Sequence, residues 1–278
     1  KTMKKVALCL HGYFNNRADP HSGMNGYGYI CETVLDREDC DVDVFFHSWE
    51  PDKEKQLCEF YQPKDFVCEL QKDFLPVMEK EGVDESYFNH GFNRAASKFA
   101  ACKIPSTLSF LFSRRRSLGL CSGGEYDVVI TARFDLGQRD RYQKRKYHVS
   151  TMDFDPNLDM KYLYSSMWDQ LNAGFADQWF FSSWENMSKL AMAYDYAFDA
   201  FKPGSDYEKA VTEGWFDSQP IDNMSSADQR QFSNEMLKDI SERSVELMKY
   251  PLWQCINNHL YYKWFLREIG LYDKSRFV

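Results

Sequence analysis

The stretch that most limits what this chain can become is residues 126–138, YDVVITARFDLGQ. Its run Val128-Val129-Ile130-Thr131 is β-branched throughout. That is the pattern of a strand buried on both faces, as in the parallel sheets of α/β proteins. Arg133, Asp135 and Gly137 follow at once, so a cation and a carboxylate stand where the strand surfaces. Open α/β sheets bind ligands in the crevice beyond the carboxyl ends of their strands. A guanidinium there suits phosphate oxygens, and a carboxylate suits a divalent ion, which makes Asp135 a candidate metal ligand. An Arg–Asp pair that simply closes the strand end is the structural alternative.

Two further strands read in the same way. Val6-Ala7-Leu8-Cys9-Leu10 is a central strand followed by the loop His11-Gly12-Tyr13-Phe14-Asn15-Asn16-Arg17, where an α/β protein would seat a nucleotide. No GxGxxG is present, so the dinucleotide fingerprint is missing. Residues 43–49 (DVFFHSW) form the second strand. Between the two, Gly23, Gly26 and Gly28 suggest a turning loop, followed by a short helix over 29–37. Residues 53–80 suggest amphipathic helical segments interrupted by Pro63 and Pro76. Residues 91–118 are expected to be partly helical, ending in Ser113-Arg114-Arg115-Arg116-Ser117. Those arginines either close a helix against its own dipole, the preferred reading, or clamp phosphate. Helical periodicity returns over 185–201, residues 206–212 continue the fold with no element type assigned, and 225–250 has helix-forming composition. Repeats and Gly/Ser-rich linkers are absent, so the expectation is one α/β domain over 1–278 with two lobes, 1–150 and 151–278.

Composition narrows the partners. A net charge of −8 disfavours extended contacts to nucleic acid or to an anionic membrane, so any phosphate must be caught by local arginines. No window approaches eighteen consecutive apolar residues, and the run after Lys4 and Lys5 is too short for the core of a signal peptide. The eight cysteines show neither CxxC nor zinc-finger spacing, which points to free thiols and a reducing, cytoplasmic setting. Aromatic residues make up 17% of the chain, enough to permit stacking against sugar rings but equally ordinary as core.

Further constellations could carry chemistry. Asp177 lies close in sequence to Gln170, Asn172 and Trp179, so a general base could be combined with amides for sugar hydroxyls and an aromatic face for the ring. A helix N-cap is the structural reading of the same Asp. His259, in an aromatic stretch, is more often a core residue than a ligand; as a metal ligand it would pair with Asp135. Residues 119–123 (GLCSG) fit a cysteine version of the nucleophile elbow, but no strand precedes them and no helix follows. A hydrolase using Cys121 is therefore a minor alternative.

Taken in order, VALCLHGY (6–13), DVFFHSW (43–49), YDVVITARFDL (126–136), DQLNAGFADQWFF (169–181) and NNHLYYKW (257–264) resemble a family of virus- and bacterium-encoded glycosyltransferases with a GT-A-like fold. The likeness leans toward xylosyltransferases of chlorella viruses. It implies a Rossmann-like mixed central sheet flanked by helices, with a helical C-terminal part. The implied partners are a nucleotide-sugar donor, a UDP-sugar by preference, an oligosaccharide or glycoprotein-glycan acceptor, and a divalent cation, Mn²⁺ or Mg²⁺. In that light the 1–150 lobe binds donor and the 151–278 lobe binds acceptor. Asp135 resembles the last carboxylate of the metal-binding DxD motif, with Arg133 in place of its first aspartate, and His259 resembles the histidine that completes the site. Asp177 resembles the catalytic base of an inverting displacement. His11, Gly12, Tyr13 and Arg17 would hold base and ribose, Arg114 and Arg133 the phosphates, and Gln170, Asn172 and Trp179 the acceptor. A non-catalytic carbohydrate-binding protein is the alternative from another class.

Overall fold

The computed structural model describes residues 3–15, 19–89, 103–137, 151–166, 175–213, 252 and 255–278. Its centre is a seven-stranded mixed sheet of order β3-β2-β1-β4-β6-β5-β7. The strands are β1 (Lys4–Gly12), β2 (Cys40–Ser48), β3 (Asp65–Cys68), β4 (Val128–Arg133), β5 (Leu163–Ser165), β6 (Trp179–Ser182) and β7 (Ser275–Phe277). Strands β3, β2, β1 and β4 run parallel. Strand β6 is antiparallel to both β4 and β5, and β7 pairs parallel with β5.

Period-two alternation divides the sheet into two apolar faces. On one face Ala7, Cys9, Phe45, Val129 and Phe180 pack under a helical layer. That layer contains α5 (Ile104–Leu120), α6 (Trp184–Ala191), α7 (Ala193–Ala200), α8 (Asp206–Thr212) and α9 (Asn258–Glu268). Val6, Leu8, Leu10, Phe46, Ile130, Trp179 and Phe181 face the other way, against α1 (Ser22–Ile30) and α2 (Glu54–Tyr61). The protein is thus α/β with a mixed sheet flanked by helices, compatible with a Rossmann-like fold.

Several local expectations are corrected. The glycine-rich segment is helix rather than loop: α1 contains Gly23, Gly26 and Gly28, and a five-residue π-helical turn, Cys31–Leu35, extends it. The glycines are there for contact. A Cβ at Gly26 would lie 1.9 Å from the Phe134 carbonyl oxygen, and one at Gly23 2.5 Å from that of Phe14, so α1 lies directly on the loops that follow β4 and β1. The region 53–80 is not helical throughout, since β3 lies between α2 and α3 (Leu75–Glu81), which is followed by the one-turn α4 (Glu85–Phe88). Pro76 opens α3 instead of interrupting it, because the first turn has no internal partner for the missing N–H. A break at Met192 divides 185–201 into α6 and α7, and 206–212, to which no element type was assigned from sequence, is the helix α8. The triple arginine does not close a helix. Arg114 lies well inside α5, which continues to Leu120. The stretch 225–250 lies outside the described residues.

The glycine contacts set two opposed outcomes. Helix propensity alone favours Ala over an interior Gly by about 1 kcal/mol. Gly28→Ala, with open space around its Cβ, should therefore raise stability by up to about 1 kcal/mol. Gly26→Ala should lower it by about 3 kcal/mol, because the clash is with backbone that cannot swing aside. Urea denaturation of both variants measures this; equal behaviour would contradict the packing of α1.

Candidate functional site

Strand β1 has β2 on one side and β4 on the other, so the chain reverses its direction of progress across the sheet at the β1/β4 pair. Ligands of open α/β sheets bind at such a switch point. The strands end there with His11-Gly12 and Arg133, and His11 pairs in register with Arg133. Because β6 is antiparallel to β4, it begins at this same edge. The Arg133 N–H donates to the Gln178 carbonyl at 3.1 Å, which places Asp177 beside the switch point. The amino end of α9 joins them through the Phe175 N–H, which donates to the His259 carbonyl at 3.1 Å.

Arg114 ties these elements together. Buried to 1% exposure, it donates from Nε to His11 Nε2 at 3.2 Å, from Nη1 to the Tyr262 hydroxyl at 2.5 Å, and from Nη2 to the backbone carbonyl of Asp177. Its guanidinium also lies over the rings of Phe110 (4.5 Å), Phe180 (5.2 Å) and Tyr262 (5.3 Å). Arg114 is therefore a buried strut joining α5, β1, the segment that leads into β6, and α9, in place of the phosphate clamp that the resemblance implied.

His11 takes its protonation from these surroundings. Its Nε2 accepts from Arg114, so the ring proton is on Nδ1, which is buried and has no hydrogen-bond partner among the described residues. Burial first, then the positive charges of Arg114 and Arg133 and the neighbouring His47, push its pKa well below 6.5. His11 is neutral at physiological pH. Its neighbour Gly12, at φ +99°, turns the chain with a backbone that favours glycine. The Gly12 N–H donates to Ser113 Oγ at 2.9 Å, Ser113 Oγ lies 2.7 Å from His47 Nδ1, and His47 Nε2 lies 3.0 Å from Glu69 Oε1. One proton arrangement satisfies the whole chain: His47 donates from Nε2 to Glu69 and accepts at Nδ1 from Ser113. Although the order serine, histidine, carboxylate resembles a catalytic triad, Ser113 is fully buried within α5 and serves to hold the turn after β1.

Two carboxylates occupy different settings. Asp135 accepts a bidentate pair from Arg133, Nε at 2.8 Å and Nη2 at 2.6 Å. The Asp135 side chain is 5% exposed and that of Arg133 35%, so the arginine is the more exposed partner of the pair. Burial lowers the pKa of Arg133, but the Asp135 charge and hydrogen bonds, with the charge of Asp177, outweigh it and raise the pKa overall. Asp177 is 7% exposed. Its Oδ2 accepts from Asn258 Nδ2 at 3.4 Å, and its Oδ1 is 3.9 Å from His259 Nδ1, which itself lies 2.7 Å from the Phe175 carbonyl. The helix-cap reading of Asp177 is corrected, since strand β6 follows it.

The remaining expected residues are distributed unevenly. Tyr13 is 39% exposed, with its hydroxyl donating to Gln71 Oε1 at 2.8 Å. Trp179 is fully buried in β6 and donates from Nε1 to the Thr151 carbonyl at 3.0 Å, so it is core and offers no face to a sugar. Arg17, Gln170 and Asn172 lie outside the described residues. Cys121 is buried just after α5, with β4 following, and this is the reverse of the strand–turn–helix order of a nucleophile elbow. Asn258 and Tyr262 were not singled out from sequence. Their i, i+4 spacing in NNHLYY places both on one helix face, and that was the available signal.

The donor set does not fit a divalent ion as drawn. Both Asp135 oxygens carry Arg133, His259 approaches Asp177, and no group of three or more His, Cys, Asp or Glu side chains among the described residues could hold a metal. Comparison with protein-family models, with curated proteins and with solved structures finds no match.

Arg114→Met should cost about 3 kcal/mol or more, because acceptors on three elements lose a buried donor. Arg115→Ala, which removes an exposed pair with Asp195, should cost no more than about 1 kcal/mol. Chemical denaturation separates the two, and equal costs would refute the strut. A second expectation concerns pH. His11 and His47 both have lowered pKa values in the fold, so the unfolded chain binds more protons once the pH is below 6.5. Stability should fall as pH drops through that value, with a shallower slope in His11→Asn. Denaturation midpoints between pH 7.5 and pH 5.5, both within about one unit of the ordinary His pKa, measure the effect.

Proposed function

We propose that this protein is a nucleotide-sugar-dependent glycosyltransferase of GT-A-like architecture. It moves a sugar, xylose by the sequence resemblance, from a UDP-sugar to a glycan hydroxyl with inversion. The observation that carries the reading is the placement of the nearly buried Asp177 carboxylate at the sheet's switch point, beside the half-exposed Arg133. A base and a cation at one strand-end edge are what displacement at an anomeric carbon requires.

In this mechanism Asp177 takes the proton of the acceptor hydroxyl. The hydroxyl oxygen bonds to the anomeric carbon, and the bond from that carbon to the diphosphate oxygen breaks, its electron pair leaving with the diphosphate. Arg133 stabilises the charge that develops. Its Nε and Nη2 are committed to Asp135, so Nη1 remains for the anionic ligand. Asp135 holds the guanidinium in place, and neutral His11 adds no further cation to the strand-end edge. For Asp135 to take a divalent ion, Arg133 would first have to leave it. The aromatic platform that would favour a purely carbohydrate-binding protein is weakened by the burial of Trp179.

A thermal-shift panel of nucleotide sugars, each with and without Mn²⁺ or Mg²⁺, should show a UDP-sugar raising the melting temperature by several degrees, as a ligand of the native state must. Asp177→Asn should keep that shift and lose transfer by about 100-fold or more. If no donor shifts the melting temperature and no sugar is transferred, the proposal fails.

A further inference from the structure

We infer that Asn258 is a positioning residue for Asp177, that Thr107 sets the direction of its amide, and that Asp177 Oδ1 is the oxygen that takes the proton. The inference rests on the glycosyltransferase reading, and it goes further by assigning separate roles to the two oxygens of the base.

Two asparagines open α9, and they have different tasks. Asn257 caps the helix, its Oδ1 accepting from the His259 N–H at 2.9 Å. Asn258 is thereby released from capping and reaches across to other elements. Its Oδ1 hydrogen-bonds with Thr107 Oγ1 on α5, and its Nδ2 donates to Asp177 Oδ2 at 3.4 Å. Thr107 is 2% exposed and Asp177 7%, so both ends of the bridge are buried, while Asn258 between them is half-buried.

The direction of the amide follows from donor and acceptor chemistry. An ionised carboxylate only accepts, whereas a hydroxyl does either. Asp177 must therefore face Nδ2, and Thr107 must donate to Oδ1. A flipped amide would set carbonyl oxygen against carboxylate oxygen. The bridge thus has one sense: Thr107 to Asn258 to Asp177.

The same contacts distinguish the two carboxylate oxygens. Oδ2 is held by Asn258. Oδ1 is 3.9 Å from His259 Nδ1, beyond hydrogen-bond length, and that nitrogen already lies 2.7 Å from the Phe175 carbonyl. Oδ1 is therefore the oxygen left to receive the acceptor's proton, while Arg114 fixes the residue from behind through its backbone carbonyl. At 3.4 Å the Asn258 bond is long; catalytic hydrogen bonds often tighten only when substrate is bound.

The test measures transfer by wild type, Asn258→Ala, Thr107→Val and Thr107→Ser, with thermal melting as the folding control. Loss of the anchor should lower kcat by about 10-fold in Asn258→Ala while KM for the donor stays within about twofold, because the base is misplaced but the donor contacts are not. Thr107→Val, which keeps the shape of the side chain, should lower kcat in the same sense, and Thr107→Ser should restore it. If Asn258→Ala does not fold, Thr107→Val decides. Wild-type kcat in both folded variants would overturn the positioning role and leave the glycosyltransferase reading intact. A rise in KM with unchanged kcat would overturn it as well. Absence of transfer by the wild type with every donor would overturn the glycosyltransferase reading, and the positioning role with it.

Discussion

The site depends on one buried cation. Among the described residues Arg114 has no carboxylate as a direct hydrogen-bond partner; its guanidinium is held by an imidazole nitrogen, a phenol and a peptide carbonyl, with aromatic rings around it. Burying a charge in this way is costly unless every donor is directed at an acceptor. The cost is offset by what it organises, for each acceptor belongs to a different part of the chain. Remote segments are thus brought to one sheet edge by a single side chain of α5. Burial first, and then the positive charge held there, keep His11 neutral.

The interior of the sheet was the most legible part of the sequence. Strands β1, β2 and β4 are buried over most of their length, and their β-branched or continuous apolar runs state this directly. Strand β3 was missed because it is a short edge strand, Asp65–Cys68, with a charged first residue and no buried position. The glycines of α1 suggested a turn because local propensity says nothing of the backbone of Phe134 passing 1.9 Å from where a Cβ would be. Propensity is a local quantity, and that contact is tertiary.

The site was legible in its members more than in their roles. Arg133, Asp135 and Asp177 do assemble at one edge, because residues at strand ends share an edge once the sheet order is set. Trp179 and Arg114, by contrast, were assigned to acceptor and phosphates by the resemblance, and both are buried. Residue type alone does not separate an aromatic that stacks on a sugar from one that stacks on Phe181, as Trp179 does at 5.7 Å. Asn258 escaped notice for a related reason: its partners lie 151 and 81 residues away, and no spacing rule spans such distances.

Arg114 grips the carbonyl of Asp177 and leaves the side chain to others. Every residue type carries that carbonyl, so the anchor that starts β6 is indifferent to what stands at position 177. The architecture can thus survive an exchange of the group presented at that sheet edge. In a lineage built on this scaffold, chemistry at that position could diversify while the fold around it stayed the same.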